Sequence, residues 1–513
     1  TLTDATLNGV CRLTFGQLAV GGLLEVANPA NVVLSFSFST QSTADTLAVL
    51  AQIYQATPVT GAEFSGPGPG GIGPVPSGLT TKQVLGAASP GYADIWVGLV
   101  HLPYYLTPPS VQNPTAPLTA FWTAAGPPAA GLDPTSRKLT RFNPVPLKVA
   151  DLSVPMVVGV PNAGTGCVEP SAGWPVVVFQ HGIAGNRSQA ISTFDAYTGH
   201  CFVVVAIDLP LHGITDTTSP LYVAGHERTF DVDYMDNATQ AAGPDGAIDP
   251  SGSHFINLTS LLTSRDNLRQ ASSDLLWLGH VLPKMSLLVN KNGASDVDPT
   301  RIQFAGLSLG SMVSMPALAT AGTPYKSGLL SVPGGGIAYL LRDSPTFAPV
   351  INAGLSAASQ GLIAPGASMY DNFLRDAQTA VDAGDPLNYM AAAVANRPIL
   401  MQQVVGGGVL PDSSVSASDS VIPNSATQRL IAASNVSRVV ATTSPYLAPL
   451  PAASGAFVNF IYGYHGSILD PRGTSVTAAT NYATFAEMQT EAVAFALAQG
   501  AAVTVANPAV TQP

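Results

Sequence analysis

Six short apolar runs, most of them closed by glycine, set the strongest limit on how this chain can fold. They are "WPVVVFQHG" (174–182), "CFVVVAIDLPLHG" (201–213), "RIQFAGLSLG" (301–310), "SGLLSVPGG" (327–335), "RPILMQQVVGGG" (397–408) and "AFVNFIYGYHG" (456–466). A strand with one face in water alternates apolar and polar residues. An uninterrupted apolar run needs cover on both faces, which parallel strands with helical crossovers provide. Helical patterns lie between the runs, among them "SRDNLRQASSDLLWLGHVL" (264–282) and the Ala-rich "YATFAEMQTEAVAFALAQG" (482–500). The expected fold class is therefore α/β, with its chemistry at the carboxyl ends of the strands.

Residues 1–150 read differently. "NVVLSFSFST" (31–40) and "ADIWVGLVHLPYYL" (93–106) look like strands, "ADTLAVLAQIYQA" (44–56) like a short amphipathic helix, and "SGPGPGGIGPVPSG" (65–78) like a surface loop. A small accessory domain is expected there, followed by a catalytic domain over 151–513. Two crossovers, 214–264 and 336–396, are too long for a single helix and are expected to form a lid or a substrate wall.

Composition narrows the function. Charged residues are 10% of the 513, and the formal net charge is −11. No Lys/Arg cluster is present, so nucleic acid is not an expected partner. No apolar stretch reaches the ~20 residues of a spanning helix. The start, Thr1-Leu2-Thr3-Asp4, lacks the basic and apolar segments of an export signal. With few lysines and many small polar residues, the expectation is an exported protein whose signal has been removed. Three cysteines, Cys11, Cys167 and Cys201, exclude a disulfide scaffold. Cys167 and Cys201 could form one bridge or remain buried thiols.

Gly306-Leu307-Ser308-Leu309-Gly310 fits Gly-x-Ser-x-Gly, although 49 glycines in the chain make about 0.4 copies expected by chance. Its setting is more specific than its letters: a strand pattern precedes it and a helical one follows, as a nucleophile elbow requires. A serine hydroxyl needs a base, and in α/β-hydrolases the chain order is serine, acid, histidine. Of eight histidines only His465 follows Ser308, just past the last strand pattern. The acid should leave the strand before it, where Asp412 and Asp419 lie. Asp419 is preferred because "DSVIPNSATQRL" turns its carboxylate back toward the sheet, whereas Asp412 in "VLPDSS" reads as a turn-former. The backbone N–H groups of Leu309 and of Ile183, in "FQHGIAGNR", are the candidate oxyanion donors. His181 is read as ordering that loop.

These residues resemble the α/β-hydrolase superfamily over about 150–513. More narrowly, "VFQHGIAGNRSQ", "ERTFDVDYMDN", "PDGAIDPSGSHFINLTSLLTSRDNLRQASSDL", "FAGLSLGSM" and "DAGDPLNYM" resemble the bacterial virulence-factor lipases, which include surface lysophospholipases. The resemblance implies an α/β-hydrolase fold and an exported carboxylic ester hydrolase that needs no cofactor. Hydrophobic acyl esters, lysophospholipids or polyesters are the expected substrates, met at a possible lipid interface. An amidase or peptidase on the same three residues, or a non-catalytic binding module, are the competing functions. Asp231, Asp233, Asp236, Asp245 and Asp249 offer oxygen ligands near the spacing of a calcium loop, with an Asx-turn network as the alternative.

Overall fold

The computed structural model describes residues 41–67, 73–287, 295–473 and 477–513. The strand pattern at 31–40 and Cys11 lie outside the described residues, as do 68–72 of the Gly/Pro-rich stretch. Residues 43–513 form one unit.

The strands are β1 (Phe64–Ser65), β2 (Val75–Thr80), β3 (Ala93–Tyr104), β4 (Ala150–Pro161), β5 (Trp174–Gln180), β6 (Val203–Ile207) and β7 (Val297–Leu307). β8 (Tyr325–Ser331), β9 (Ile399–Val404), β10 (Val436–Arg438), β11 (Tyr446–Pro449), β12 (Gly455–Phe460) and β13 (Ala502–Val505) complete the set. One sheet runs β1-β3-β4-β6-β5-β7-β8-β9-β12-β10, with β2 also paired to β3, while β11 and β13 form a separate pair. From β6 to β10 all neighbours are parallel, and β4 is antiparallel to both β3 and β6. This order, with a serine turn following the central β7, is the α/β-hydrolase fold. The six glycine-closed runs supply β5 to β9 and β12. In β5, β6, β9 and β12 every residue is buried, as two-sided cover demands.

The covering helices used below are α1 (Asp45–Ala56), α2 (Ile191–Thr198), α3 (Leu261–Val281), α4 (Leu309–Ala319), α5 (Ile337–Asp343), α6 (Ala348–Ala358), α7 (Ser368–Val381), α8 (Asn424–Ala432) and α9 (Ala478–Leu497). α1 buries Leu47, Leu50, Ala51 and Tyr54, spaced as one helical face. That face meets α3, where the Tyr54 hydroxyl lies 2.7 Å from Ser273 Oγ and its ring packs against Trp277.

In place of the accessory domain expected for 1–150, the described part of that region belongs to the main sheet. Residue 150 opens β4, which pairs with β3 over twelve residues. Buried polar side chains of α3 fasten the same region. Gln270 Oε1 accepts the Tyr105 N–H at 2.9 Å, Asp266 accepts that of Trp122 at 2.8 Å, and Trp277 Nε1 donates to the His101 carbonyl at 2.7 Å. The 65–78 stretch is also not wholly a loop, since β2 begins at Val75. Pro76 is tolerated there because β2 pairs only with β3 and has a bulge between Pro76 and Leu79.

Both long crossovers leave the carboxyl ends of their strands, β6 and β8, on the edge where the candidate residues lie. The second carries α5, α6 and α7, with a small apolar cluster that includes Leu355, Tyr370 and Leu374. Among the described residues no helix is long and apolar enough to cross a membrane. Cys167 and Cys201 are bridged, with Cα atoms 5.5 Å apart and a sequence separation of 34. The bridge closes the β5–α2 excursion. For a loop of that length, replacing both cysteines with serine is expected to lower stability by about 3–4 kcal/mol, read as a shift of the urea midpoint.

Candidate active site

The geometry at Ser308 follows from the two glycines beside it. Ser308 has φ +54° and ψ −120°, a backbone conformation that side-chain-bearing residues rarely adopt. Its N–H donates to the Ser331 carbonyl at 2.9 Å, and the Ser311 hydroxyl donates to the same carbonyl at 3.0 Å, so the end of β8 holds the turn. A Cβ on Gly306 would stand 2.8 Å from Ser311 N, and one on Gly310 would collide with the carbonyl oxygens of Gln180 and His181. Only glycines allow α4 to start this close to β5 and β7. Leu309 is the first residue of α4, so its N–H belongs to the unsatisfied amides of a helix start.

Asp419 follows β9 and is buried. Its Oδ1 accepts the N–H groups of Val421 at 2.7 Å and Ile422 at 3.1 Å, while Oδ2 accepts His465 Nδ1–H at 2.7 Å. A carboxylate with this much donation cannot swing freely, and it holds the imidazole with the proton on Nδ1. Nε2 is left as the basic nitrogen. Asp412 lies exposed in a turn, accepting the Ser414 N–H and hydroxyl.

The loop after β5 approaches Ser308 from the other side. A Cβ on Gly182 would lie 3.1 Å from Ser308 Cβ and 3.6 Å from its Oγ. Gly182, Ile183 and His465 line one groove of about 1420 Å³. Ser308 thus abuts the Gly182 turn, and His465 opens into the space that turn borders. A second cavity, about 30 Å³, lies between α3 and the α5–α7 helices and contains none of the candidate residues. Its volume suits little more than a water molecule.

Several contributors to this site were not singled out from sequence. Arg187, 2% exposed, donates its backbone N–H to Asp208 Oδ1 at 2.6 Å and its guanidinium to Asp208 Oδ2. The guanidinium also bonds Glu227 at 2.6 and 2.7 Å and the Leu221 carbonyl at 2.5 Å. Glu227 in turn accepts the backbone N–H groups of Ile214 and Val223. One buried arginine therefore joins the Ile183 loop, the end of β6 and the start of the first crossover. The Asn-Arg after "HGIAG" and the Glu-Arg of "ERTF" were its signals in the sequence.

His181 donates Nδ1–H to the Gly182 carbonyl at 2.8 Å and accepts the Leu209 N–H on Nε2 at 3.1 Å. It ties the loop to the segment after β6. Burial, with the nearby Arg187 and Arg228 charges, pushes its pKa down to about 3. Its 3.8 Å approach to Asp208 is therefore not an ion pair. His212, whose ring centre lies 5.2 Å from that of His181, is held well below the usual histidine range, mainly by burial.

In the 231–249 stretch the carboxylates accept backbone N–H groups. Asp233 takes those of Asp245 and Gly246, Asp236 those of Ala238 and Thr239, and Asp249 those of Tyr234 and Met235. Among the described residues no group of three His, Cys, Asp or Glu is arranged to hold a metal ion.

No family model matches the chain, and no curated protein matches it. Solved structures similar to it include an acetyl xylan esterase from Paenibacillus sp. R4, 11% identical over 84% of this chain and 92% of that one, with a TM-score of 0.37. Another is acetyl xylan esterase 1 from Thermoanaerobacterium sp. JW/SL YS485, at 11% identity, 83% and 90% coverage and a TM-score of 0.38. A third is an acylaminoacyl peptidase from Pyrococcus horikoshii, at 12% identity, 79% and 47% coverage and a TM-score of 0.36. These likenesses are distant, and the fold assignment rests on strand order and connectivity.

Gly310→Ala is expected to destabilise the protein by about 3 kcal/mol through overpacking against β5, measured by denaturant unfolding. Acid should also destabilise it. His181 is neutral in the fold down to about pH 3, whereas in the unfolded chain it takes up a proton near 6.5. The unfolded state then binds more protons, so stability present above pH 6.5 is lost as pH falls, by up to about 1.4 kcal/mol per unit for this residue. Urea midpoints measured between pH 7 and pH 4 check this, and a flat profile would contradict it.

Proposed function

We propose that this protein is a serine-dependent carboxylic ester hydrolase acting on hydrophobic acyl esters. The observation that carries the reading is His465, clamped through Nδ1 by a buried Asp419 and opening into the space bordered by the Gly182–Ile183 turn that abuts Ser308. In this reading Ser308 Oγ attacks the ester carbonyl carbon as His465 Nε2 takes its proton. The oxyanion that forms is held by the N–H groups of Ile183 and Leu309, aimed by a loop and a helix start. Collapse expels the alcohol, which receives the proton from His465 and leaves Ser308 acylated. Water, activated by the same histidine, then releases the acid and restores the serine.

Low charge in the chain and the apolar character of the groove favour an uncharged acyl substrate over an ionic one. The resemblance of the 227–275 stretch to virulence-factor lipases adds lysophospholipids to the esters to be tried, and polyesters stay within the same chemistry. Export is part of the proposal. It is supported by the Cys167–Cys201 bridge, since disulfides persist chiefly in oxidising compartments.

Hydrolysis of para-nitrophenyl esters of graded chain length tests the reading. Ser308→Ala is expected to abolish turnover with the fold intact. Asp419→Asn should lower kcat by about 10²–10⁴-fold, while Asp412→Asn should stay within about twofold of wild type, as a surface change away from the chemistry. Full activity in Ser308→Ala, or amide turnover exceeding ester turnover, would overturn it.

A further inference from the structure

The groove that contains His465 continues well beyond the space needed for a small ester. Its volume, about 1420 Å³, exceeds the ~300–1,000 Å³ of ordinary small-molecule sites. Along one wall Tyr482, Ala486, Gln489, Val493 and Leu497 of α9 follow one another at spacings of three and four residues, so a single helical face lines it. At ~1.5 Å rise per residue that face is about 22 Å long. The opposite wall is Ser192 and Ala196 of α2 with Val84, Leu85 and Tyr92. Gln489 Nε2 donates to the carbonyls of Ser192 and Ile468, both at 2.9 Å, and closes the floor between α2 and α9.

Two features indicate what would lie there. Large apolar side chains are left in water along the groove: Tyr482 is 61% exposed, Leu497 45%, Val84 44% and Leu85 42%. Grouped exposed apolar residues beside a candidate catalytic centre mark a binding surface more than a packing defect. The charges in the walls are also satisfied internally. Asp195 accepts the Thr81 hydroxyl, the Ser89 hydroxyl and the Tyr92 N–H, and Asp470 pairs with Arg472.

We infer that this groove binds the hydrocarbon chain of a long-chain acyl ester, with the chain running from His465 along α9 toward Leu497. The inference rests on the proposed ester hydrolysis for its direction, because the reacting carbonyl must sit at the His465 end. It assigns substrate selectivity to a face of α9 that lines the same groove as His465 and extends away from it toward Leu497.

The test is Leu497→Asp and Val84→Asp, two exposed positions where a carboxylate can be added without opening the core. For each, the ratio of kcat/KM on para-nitrophenyl laurate to that on the acetate is measured, together with binding of dansyl-labelled undecanoic acid to the Ser308→Ala protein. The expected result is a fall in the laurate-to-acetate ratio of about tenfold, through KM, and a matching loss of probe affinity. A ratio that moves less than about twofold with probe binding unchanged overturns the groove assignment while leaving ester hydrolysis standing. If Ser308→Ala retains activity, or the wild type hydrolyses no ester, the catalytic reading fails, and the probe measurement still decides whether the groove holds an acyl chain.

Discussion

Gly310 packs its bare α-carbon against the carbonyl oxygens of Gln180 and His181, and no side chain fits between them. That contact sets how closely α4 can approach the carboxyl end of β5, and the placement of the candidate-site edge depends on it. With α4 so close, the turn from β7 must be sharp, and Ser308 takes a positive φ that the Ser331 carbonyl helps to hold. The same approach brings the Gly182 turn against Ser308. Strain at one serine and absent side chains at two glycines are thus parts of a single steric solution.

The loop facing Ser308 is held by a different force. Arg187, Asp208 and Glu227 are buried together, and each ion would be costly alone. They are tolerated because the guanidinium is satisfied by two carboxylates and a carbonyl, and because backbone amides fill much of the remaining capacity of the carboxylates. A network of this kind adds little net stability compared with an apolar core, but it is directional. It permits one arrangement of the Ile183 loop, the end of β6 and the first crossover. Neutral His181 extends the same tie to Leu209 without adding another buried charge.

Much of the architecture was legible in the order of residues. Runs such as "WPVVVFQHG" carry their own requirement for two-sided burial, and five parallel neighbours of the central sheet follow from it. Ser308 and His465 could be nominated because each stands just past a strand pattern, and Asp419 because it lies between them in chain order in a stretch, "DSVIPNSATQRL", that turns back toward the sheet, whereas Asp412 could be set aside as a turn-former. The region before residue 150 was not legible in the same way. β3 reads as a strand, but nothing local in "ADIWVGLVHLPYYL" says that its partner is β4. Its attachment also depends on Gln270, Asp266 and Trp277 of α3, more than a hundred residues away. Polar residues in a helix normally indicate a solvated face, yet in α3 they are buried because another segment's backbone needs them.

Sequence alone determined the class of sheet and the sharp turn at Ser308, and it nominated the residues proposed to act there, since burial period, glycine requirement and chain order are properties of the string. Tertiary structure decided what those residues face. The pairing of Asp419 with His465, the ionic tie through Arg187, the Cys167–Cys201 bridge and the groove between α2 and α9 each join segments distant in the chain. Their partners are selected by packing geometry and by the cost of leaving buried polar groups unmatched, which no local pattern records.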